Sequence, residues 1–535
     1  MSEVDLDTEV VVHKGEVLPI LSSSAKKMNM EKLLRAPLPV FGKSTPGSPF
    51  WTWLGFWFCR RVSAVQFRTS SSSTAEELNH AGGSMCCGWH TNGLMDPLGI
   101  FLQHPKEFVV GSRHDLVTRP LLGWWTRRLA VQPVVRKAEL LRGGCTEEEA
   151  NHINGRSLLS LASGISHGFG CVLFPEGTSH DKSHMIRFRT GPMRTVLAAA
   201  ALAKANGQPM PKLVPTGLHF RTKEYFRTDQ YIEFGKAITI DADSIPDEMV
   251  EAVRKRDWVE PPVELVHHFR DELERRLPEL TPHAQTWDEH RGFHLIAHVK
   301  ARIENKPLKQ WREEVHAARE VRSWYQPNTE LPPTTHSDTM LEQAVEAGKI
   351  LEKHSLDGRD LHTNPRILRK ANPIHGVKSL VRWSLFALFL PLFVLSLGFQ
   401  LLMGRLLGDS TDEGLDARTS FQFLAAMFGS MIVWPIAALV VTIILWWQTA
   451  TIESLFGIDW LQLFGSNTYQ QCGAAILVTL IVLPLFWVSG HLFAWAWDDF
   501  VDARKAWNRK MMPKDEKMRL STLIESVITQ LNARE

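Results

Sequence analysis

An α/β domain with a largely parallel sheet flanked by helices, followed by a C-terminal α-helical membrane region, is the architecture this sequence predicts. Three observations carry it. Between about residues 84 and 240, short apolar runs alternate with helical patterns, the order of a parallel sheet covered by helices. Several of those runs end in polar, glycine-bearing stretches, where open α/β sheets bind ligands. Three long apolar segments then sit near the C-terminal end: Trp383 to Met403, Phe421 to Trp447 and Ala474 to Trp497. Each exceeds the roughly 20 residues needed to cross a bilayer core and contains no Lys, Arg, Asp or Glu.

The elements follow in chain order. Residues 1–45 read as an irregular N-terminal segment. Its acidic start, "MSEVDLDTEVVVHKGE", lacks a basic n-region, so no cleaved signal peptide is expected. Residues 46–298 form the α/β domain. Within it "FWTWLGFWF", Phe50 to Phe58, suits a helix lying on a membrane surface. "SMCCGWH" reads as a strand ending at His90, which directs Cys86 and Cys87 to opposite faces. "EFVVGSR" and "AVQPVVR" read as further strands. Thr146 with Glu149 forms a capping box that opens a helix ending near Gly168. "CVLFPE" is the next strand; Pro192 starts the following helix and Gly207 stops it. "KLVPTGLHF" and "QYIEFGKAI" complete the set of strands. Residues 299–376 read as a charged linker of amphipathic helices, interrupted by "QPNTELPPTTHSD". Residues 377–500 are a membrane region with two or three helices, and 501–535 a basic tail facing the cytoplasm.

Composition narrows the function. A formal net charge of +2 over 535 residues leaves no polycation for nucleic acid. Six cysteines, none in a C-x-x-C, speak against a zinc site or disulfide framework. No metal is expected: His180 and His184 read as loop residues or phosphate neighbours.

Four strand ends carry polar groups. "HTNGLMDP" places His90 at a strand end and Asp96, with Pro97, at the opening of the next helix. An aspartate there can accept one imidazole N–H, fix the tautomer and leave the other nitrogen as a base. "VQPVVR" ends in Arg136, "CVLFPEGTSHDKSHMIRFRTG" carries Glu176, Gly177, Thr178 and Arg189, and "LVPTGLHF" turns at Pro215.

Taken in order, these blocks resemble the glycerol-phosphate acyltransferase superfamily. That family carries a His and an Asp, then an Arg, then F-P-E-G-T/S, then an apolar V-P strand; here they are His90 with Asp96, Arg136 in "PVVR", "FPEGTS" and "VPTG". Its downstream F-K-x-G is matched by Phe188-Arg189-Thr190-Gly191. The resemblance spans about residues 84 to 240. Five residues separate His90 from Asp96, one more than the common spacing. That loop, and "SHD" at Ser179-His180-Asp181, are similar to the fungal-type glycerol-3-phosphate and dihydroxyacetone-phosphate acyltransferases.

The resemblance implies a membrane enzyme that moves a fatty acyl group from a thioester, acyl-CoA or acyl carrier protein, to the sn-1 hydroxyl of glycerol 3-phosphate or dihydroxyacetone phosphate. No resident cofactor is implied; the thioester is a co-substrate and membrane lipid a partner. His90 would take the hydroxyl proton and Asp96 would stabilise the imidazolium. Arg136 and Arg189 would hold the acceptor phosphate, with Lys182 and Arg187 as weaker candidates. Glu176 would hydrogen-bond a glycerol hydroxyl, Gly177 would admit the backbone closely, and Thr178 would bond the acceptor or brace the loop. Absence of a G-x-S-x-G elbow agrees with direct attack by the alcohol. Two alternatives stand beside this: a 1-acylglycerol-3-phosphate acyltransferase making phosphatidate, and a non-catalytic membrane adaptor.

Charge sets the expected topology. "RILRKANPIHGVKSLVR" before the first apolar segment places the α/β domain in the cytoplasm, and the basic tail wants the same side. Three full crossings cannot satisfy both. Pro391, in the middle of the first segment, suits a re-entrant turn that returns to the cytoplasmic face while the other two segments span.

Overall fold

The computed structural model of the chain describes residues 12–13, 16–17 and 28–534, apart from 43, 74, 136–138, 141–144, 223–224, 329, 371–372, 410–414, 458, 460, 463–464 and 466. The α/β unit is built on β1 (Phe67–Ser72), β2 (Ser84–Gly88), β3 (Gly111–Arg113), β4 (Gln132–Val134), β5 (Gly170–Val172), β6 (Lys212–Phe220), β7 (Thr228–Phe234) and β8 (Ile238–Thr239). The main sheet runs β1-β7-β6-β2-β5, with β8 paired to β6. It is mixed. β5, β2 and β6 form a parallel block, β7 turns antiparallel to β6, and β1 lies parallel to β7. The reversal at β7 has a simple cause: only seven residues separate the end of β6 from the start of β7, too few for the crossover that a parallel neighbour requires. β3 and β4, expected as strands, form their own parallel pair; a bridge from Phe108 to Gly170 joins this edge to β5.

Four helices matter most to the site: α1 (Pro49–Gln66), α2 (Met95–Gln103), α3 (Glu147–Ser166) and α4 (Gly191–Asn206). The α3 start is the expected capping box. Thr146 Oγ1 accepts from Glu149 N, and Glu149 Oε2 from Thr146 N. Pro192 stands in the first turn of α4, and Gly207 ends it in the left-handed conformation at φ +62°. The two adjacent cysteines serve opposite cores, as the strand period dictates. Cys87 packs with Leu161 and Ile165 of α3 and Val196 and Leu197 of α4. Cys86 packs with Ile100 of α2, Phe108 and Ile232. Each fully buried aliphatic side chain here contributes about 1.5–3 kcal/mol.

Beyond the sheet lie α5 (Trp287–Ile303), α6 (Trp311–Ser323) and α7 (Thr339–Lys353). The stretch expected as a linker is amphipathic, but its apolar faces close on a shared core. Phe293, Tyr325 and Leu341 pack there with Ile524 and Val527 from the C-terminal tail helix. Gln326 Nε2 donates to Thr335 Oγ1 across the Pro-rich interruption.

The apolar segments fall on α8 (Pro373–Phe393), α9 (Phe399–Asp409), α10 (Leu415–Trp447) and α11 (Thr468–Met511); the tail helix is α12 (Lys514–Arg534). Three helical stretches, Gly376–Gly398, Arg418–Trp447 and Thr468–Met511, are long and apolar enough to cross a membrane. Pro391 lies in the last turn of α8, and a π-helical turn, Val394–Gly398, separates α8 from α9. A missing N–H followed by a widened turn is a recognised cause of a helix bend. At the start of the first apolar segment Arg382 pairs with Asp499 of α11. Near its middle Leu392 packs with Trp434 and Phe486. At its end, Gly404 and Gly408 let the backbone close on α10: a Cβ would meet the Gln422 Cα at 2.8 Å and the Arg418 Cα at 2.6 Å.

Ion pairs tie α11 to the α/β unit just beyond the apolar stretch. Arg227 forms a two-pronged pair with Asp498, and Arg68 does the same with Asp502. Farther along, Lys505 reaches Asp357 and Asp360, and Arg509 also pairs with Asp360. The aromatic helix α1 fills the space between. Its Cys59 packs with Met95 and Leu98 of α2 and with Phe423 and Met427 of α10, while Phe50, Trp53 and Trp57 stay exposed.

Candidate active site

The end of β2 delivers His90, and the start of α2 delivers Asp96. Asp96 is fully buried. Its Oδ2 accepts three groups: Thr91 N at 2.5 Å, Asn92 N at 2.7 Å and His90 Nδ1 at 3.2 Å. The Thr91 hydroxyl adds a longer bond of 3.4 Å to Oδ1. Asp96 sits inside the first turn of α2, two places after the N-cap position its Asp-Pro pairing suggests. Asn92 takes the capping role: its Oδ1 accepts from Leu94 N at 3.1 Å and Met95 N at 2.9 Å. The Asp96 carboxylate is thereby free to fold back over the turn and hold the imidazole.

The His90 ring stacks on Phe174, with centroids 4.0 Å apart and planes within 8°. With Nδ1 directed at Asp96, Nε2 carries no hydrogen bond among the described residues, and the side chain is 15% exposed. The result is an imidazole held on one face and one edge, with its second nitrogen left toward solvent.

The FPEGTS loop closes against it. Glu176 is buried, and both its oxygens are engaged by the protein. Oε2 accepts from His90 N at 2.8 Å; Oε1 accepts from Ile186 N at 2.8 Å and His180 Nε2 at 2.7 Å. Because Lys182 N donates to His180 Nδ1, that imidazole carries its proton on Nε2. His180 N in turn donates to the His90 carbonyl at 3.2 Å. Glu176 therefore clasps the His90 strand end to the following loop. Gly177 is in the left-handed region at φ +72°, and the Arg189 stem lies over it: a Cβ there would meet Arg189 Cδ at 3.3 Å. Arg189 N bonds the Pro175 carbonyl at 2.6 Å, and its side chain is exposed beside the loop. The Thr178 hydroxyl turns to the Ser179 carbonyl at 3.4 Å. Ser183 and His184 are pinned by the Ala284 carbonyl at 2.7 and 3.1 Å. Arg136 lies outside the described residues.

The fold thus brings together His90, Asp96, Glu176, Gly177 and Arg189. Phe174, Thr91, Ile186 and His180 were not assigned these parts from sequence. Only the stacking aromatic, Phe174 of F-P-E itself, had a signal, since an end-of-strand Phe must cover something. Among the described residues, no group of three His, Cys, Asp or Glu side chains converges as a metal site.

One more partner comes from far along the chain. Asn92 Nδ2 donates to Thr419 Oγ1 at 3.1 Å, and Ser420 Oγ donates to Asn92 Oδ1 at 2.6 Å. Both residues stand near the start of α10.

The chain is similar to known proteins. A family model described as Acyltransferase matches residues 70–215. Glycerol-3-phosphate O-acyltransferase 2 of Saccharomyces cerevisiae is 32% identical over 106 residues, 19% of this chain and 14% of the yeast protein. The alignable stretch thus spans about a seventh of that relative's length. A crystal structure of the 1-acyl-sn-glycerophosphate (LPA) acyltransferase PlsC from Thermotoga maritima aligns over 41% of this chain and 79% of its own. It does so at 12% identity and a TM-score of 0.26, too slight a likeness to carry the fold. Block order and the matched region agree on one conclusion: residues 70–215, which hold His90, Asp96 and the FPEGTS loop, match the Acyltransferase family model, and the chain is similar in part to a glycerol-3-phosphate O-acyltransferase.

Proposed function

We propose that this protein transfers a fatty acyl group from a thioester donor, acyl-CoA or acyl carrier protein, to the sn-1 hydroxyl of glycerol 3-phosphate or dihydroxyacetone phosphate, with the acyltransferase domain on the cytoplasmic face of a membrane. The observation that carries the chemistry is the His90–Asp96 pair, with Nδ1 held and Nε2 open. His90 Nε2 takes the hydroxyl proton as the alkoxide oxygen bonds the thioester carbonyl carbon. The carbon–sulfur bond then breaks, and the leaving thiolate recovers the proton from the imidazolium. Buried Asp96, already satisfied by two backbone N–H groups, offsets the positive charge that forms on the ring. No enzyme nucleophile is needed. Arg189, beside the open glycine, and Arg136 hold the acceptor phosphate. Glu176 keeps His90 in place; Thr178 braces the loop.

Acceptor identity is supported by the partial match to the yeast protein, and the loop length between His90 and Asp96 points the same way. The test is thiol release by the purified full-length protein in lipid nanodiscs, with acyl-CoA or acyl carrier protein as donor. Glycerol 3-phosphate, dihydroxyacetone phosphate and 1-acylglycerol 3-phosphate are offered separately. Turnover with either of the first two, abolished by His90→Ala in a folded variant, supports the proposal. Turnover with 1-acylglycerol 3-phosphate alone makes it a phosphatidate-forming enzyme. No thiol release from any pair makes it a non-catalytic adaptor.

A further inference from the structure

We infer that the membrane helix α10 is itself part of the catalytic apparatus: Thr419 and Ser420 position the His90–Asp96 loop through the Asn92 side chain. The inference rests on the acyltransferase reading above for its catalytic meaning, but its geometry stands alone.

Asn92 is 4% exposed and sits at the hub of the loop. Its carboxamide oxygen caps α2 through Leu94 N and Met95 N, and its own backbone N–H donates to Asp96 Oδ2. One residue thus orients both the helix that carries Asp96 and the carboxylate itself. A short carboxamide can rotate about its last bond, and a cap alone does not prevent it from swinging. Two bonds from α10 do. Ser420 Oγ donates to Oδ1 and Thr419 Oγ1 accepts from Nδ2, so both ends of the amide are specified. Thr419 is buried, 2% exposed. The next two turns of apolar packing hold the anchor in register: Phe423 and Met427 of α10 lie against Met95 of α2 and Cys59 of α1. These contacts place the carboxamide anchor and the hydrophobic anchor on one face of α10. The same helix continues, through Pro435, to Trp447, along the stretch apolar enough to cross a bilayer.

The consequence is direct. If the carboxamide turns, its cap on Leu94 N and Met95 N is released, the turn that aligns the Thr91 and Asn92 amides with Asp96 Oδ2 loosens, and His90 loses its held edge. Thr419 and Ser420 touch neither substrate nor reacting atoms; they are positioning residues.

The experiment compares wild type, Thr419→Val with Ser420→Ala, and Thr419→Ser alone, each as full-length protein in nanodiscs. Two readouts are taken: thiol-release kinetics, and amide hydrogen exchange across residues 90–96. The double variant should lose about ten-fold in kcat, from two hydrogen bonds, with KM for both substrates unchanged within about two-fold. Amide exchange at Thr91 and Asn92 should accelerate in parallel. Thr419→Ser, which keeps the acceptor, should retain wild-type values of both. Wild-type kcat in the double variant, or unchanged exchange at 91–92, overturns the positioning role while leaving the proposed function intact. A global rise in exchange throughout the α/β unit also overturns it, by showing plain destabilisation. Wild-type protein silent on every acceptor overturns the catalytic meaning, and the exchange data then judge the coupling alone.

Discussion

Replacing Glu176 with Gln separates two roles for the F-P-E-G-T glutamate. The carboxylate receives three N–H donors, from His90, Ile186 and His180, at 2.7–2.8 Å, in a side chain with no exposed surface. Gln has the same shape but only one acceptor oxygen. Its NH₂ must face either the His90 amide or the Ile186–His180 pair, donor against donor. A buried donor left without a partner costs about 1–3 kcal/mol, and the loss of charge-assisted bonds adds to that. Because the orphaned group is either the His90 amide or the loop pressed on it, the strain falls on the base. Glu176→Gln should therefore lower kcat by about ten- to a hundred-fold, leave the acceptor KM within about three-fold, and lower the melting temperature by about 2–4 °C per kcal/mol lost. Thiol-release kinetics with varied glycerol 3-phosphate, alongside thermal unfolding, reads all three. Wild-type kcat and melting temperature together with a ten-fold higher acceptor KM would refute the clasp and return Glu176 to the acceptor.

Three other outcomes can be checked. Arg136→Ala and Arg189→Ala should each raise the acceptor KM about ten- to a hundred-fold through loss of a charge-assisted phosphate contact; a change confined to the thioester KM would assign that arginine to the donor instead. Both ends of the first apolar segment lie beside residues bound to the α/β unit, so the thiol introduced by Arg405→Cys should react with impermeant maleimide only from the side of the acyltransferase domain, and native Cys472 only from the other; reaction of the introduced thiol from the Cys472 side would establish three full crossings. Burial first, and the Arg322 guanidinium second, holds His283 down at about 3, against about 6.5 when unfolded. The unfolded chain thus takes up this proton first as pH falls: the stability is complete above pH 6.5, and about 2 kcal/mol of it is gone by pH 5. His283→Asn, whose side chain tolerates the φ of +43°, should flatten the fall in unfolding free energy from pH 7 to 5; an unchanged slope would acquit His283.

What could be read from sequence followed local rules. The strand before His90, which closes at Gly88 two residues short of the expected end, the capping box at Thr146 and the Gly207 stop each depend on neighbours within a few residues, where spacing is informative. The pairing of His90 with Asp96 was legible for the same reason. The role of Glu176 was not: Ile186 N lies in a loop without period, and a carboxylate's partners there follow from the loop's path. Asn92 was legible as a residue that serves loop backbone, but its partners stand 327 and 328 positions away. Amphipathicity marked α6 and α7 as helices with a face to bury; it could not say that the tail would cover them. Strand direction at β7 followed from loop length, which the alternating pattern concealed.

The helix α11 acts as a yardstick. Its 44 residues span about 66 Å, whereas a bilayer core is about 30 Å thick. The clamps at Asp498, Asp499 and Asp502 begin one residue after Trp497, where the apolar stretch gives out. With α11 set across a bilayer, the height of the α/β unit above the lipid is counted out in residues along this one helix, through Pro484. Adding a single residue after Trp497 would raise the clamps by about 1.5 Å but swing them about 100° around the axis, away from their arginines. Evolution can adjust this altitude only in near-whole turns of about 5.4 Å, so a partner membrane of different thickness is met by a step.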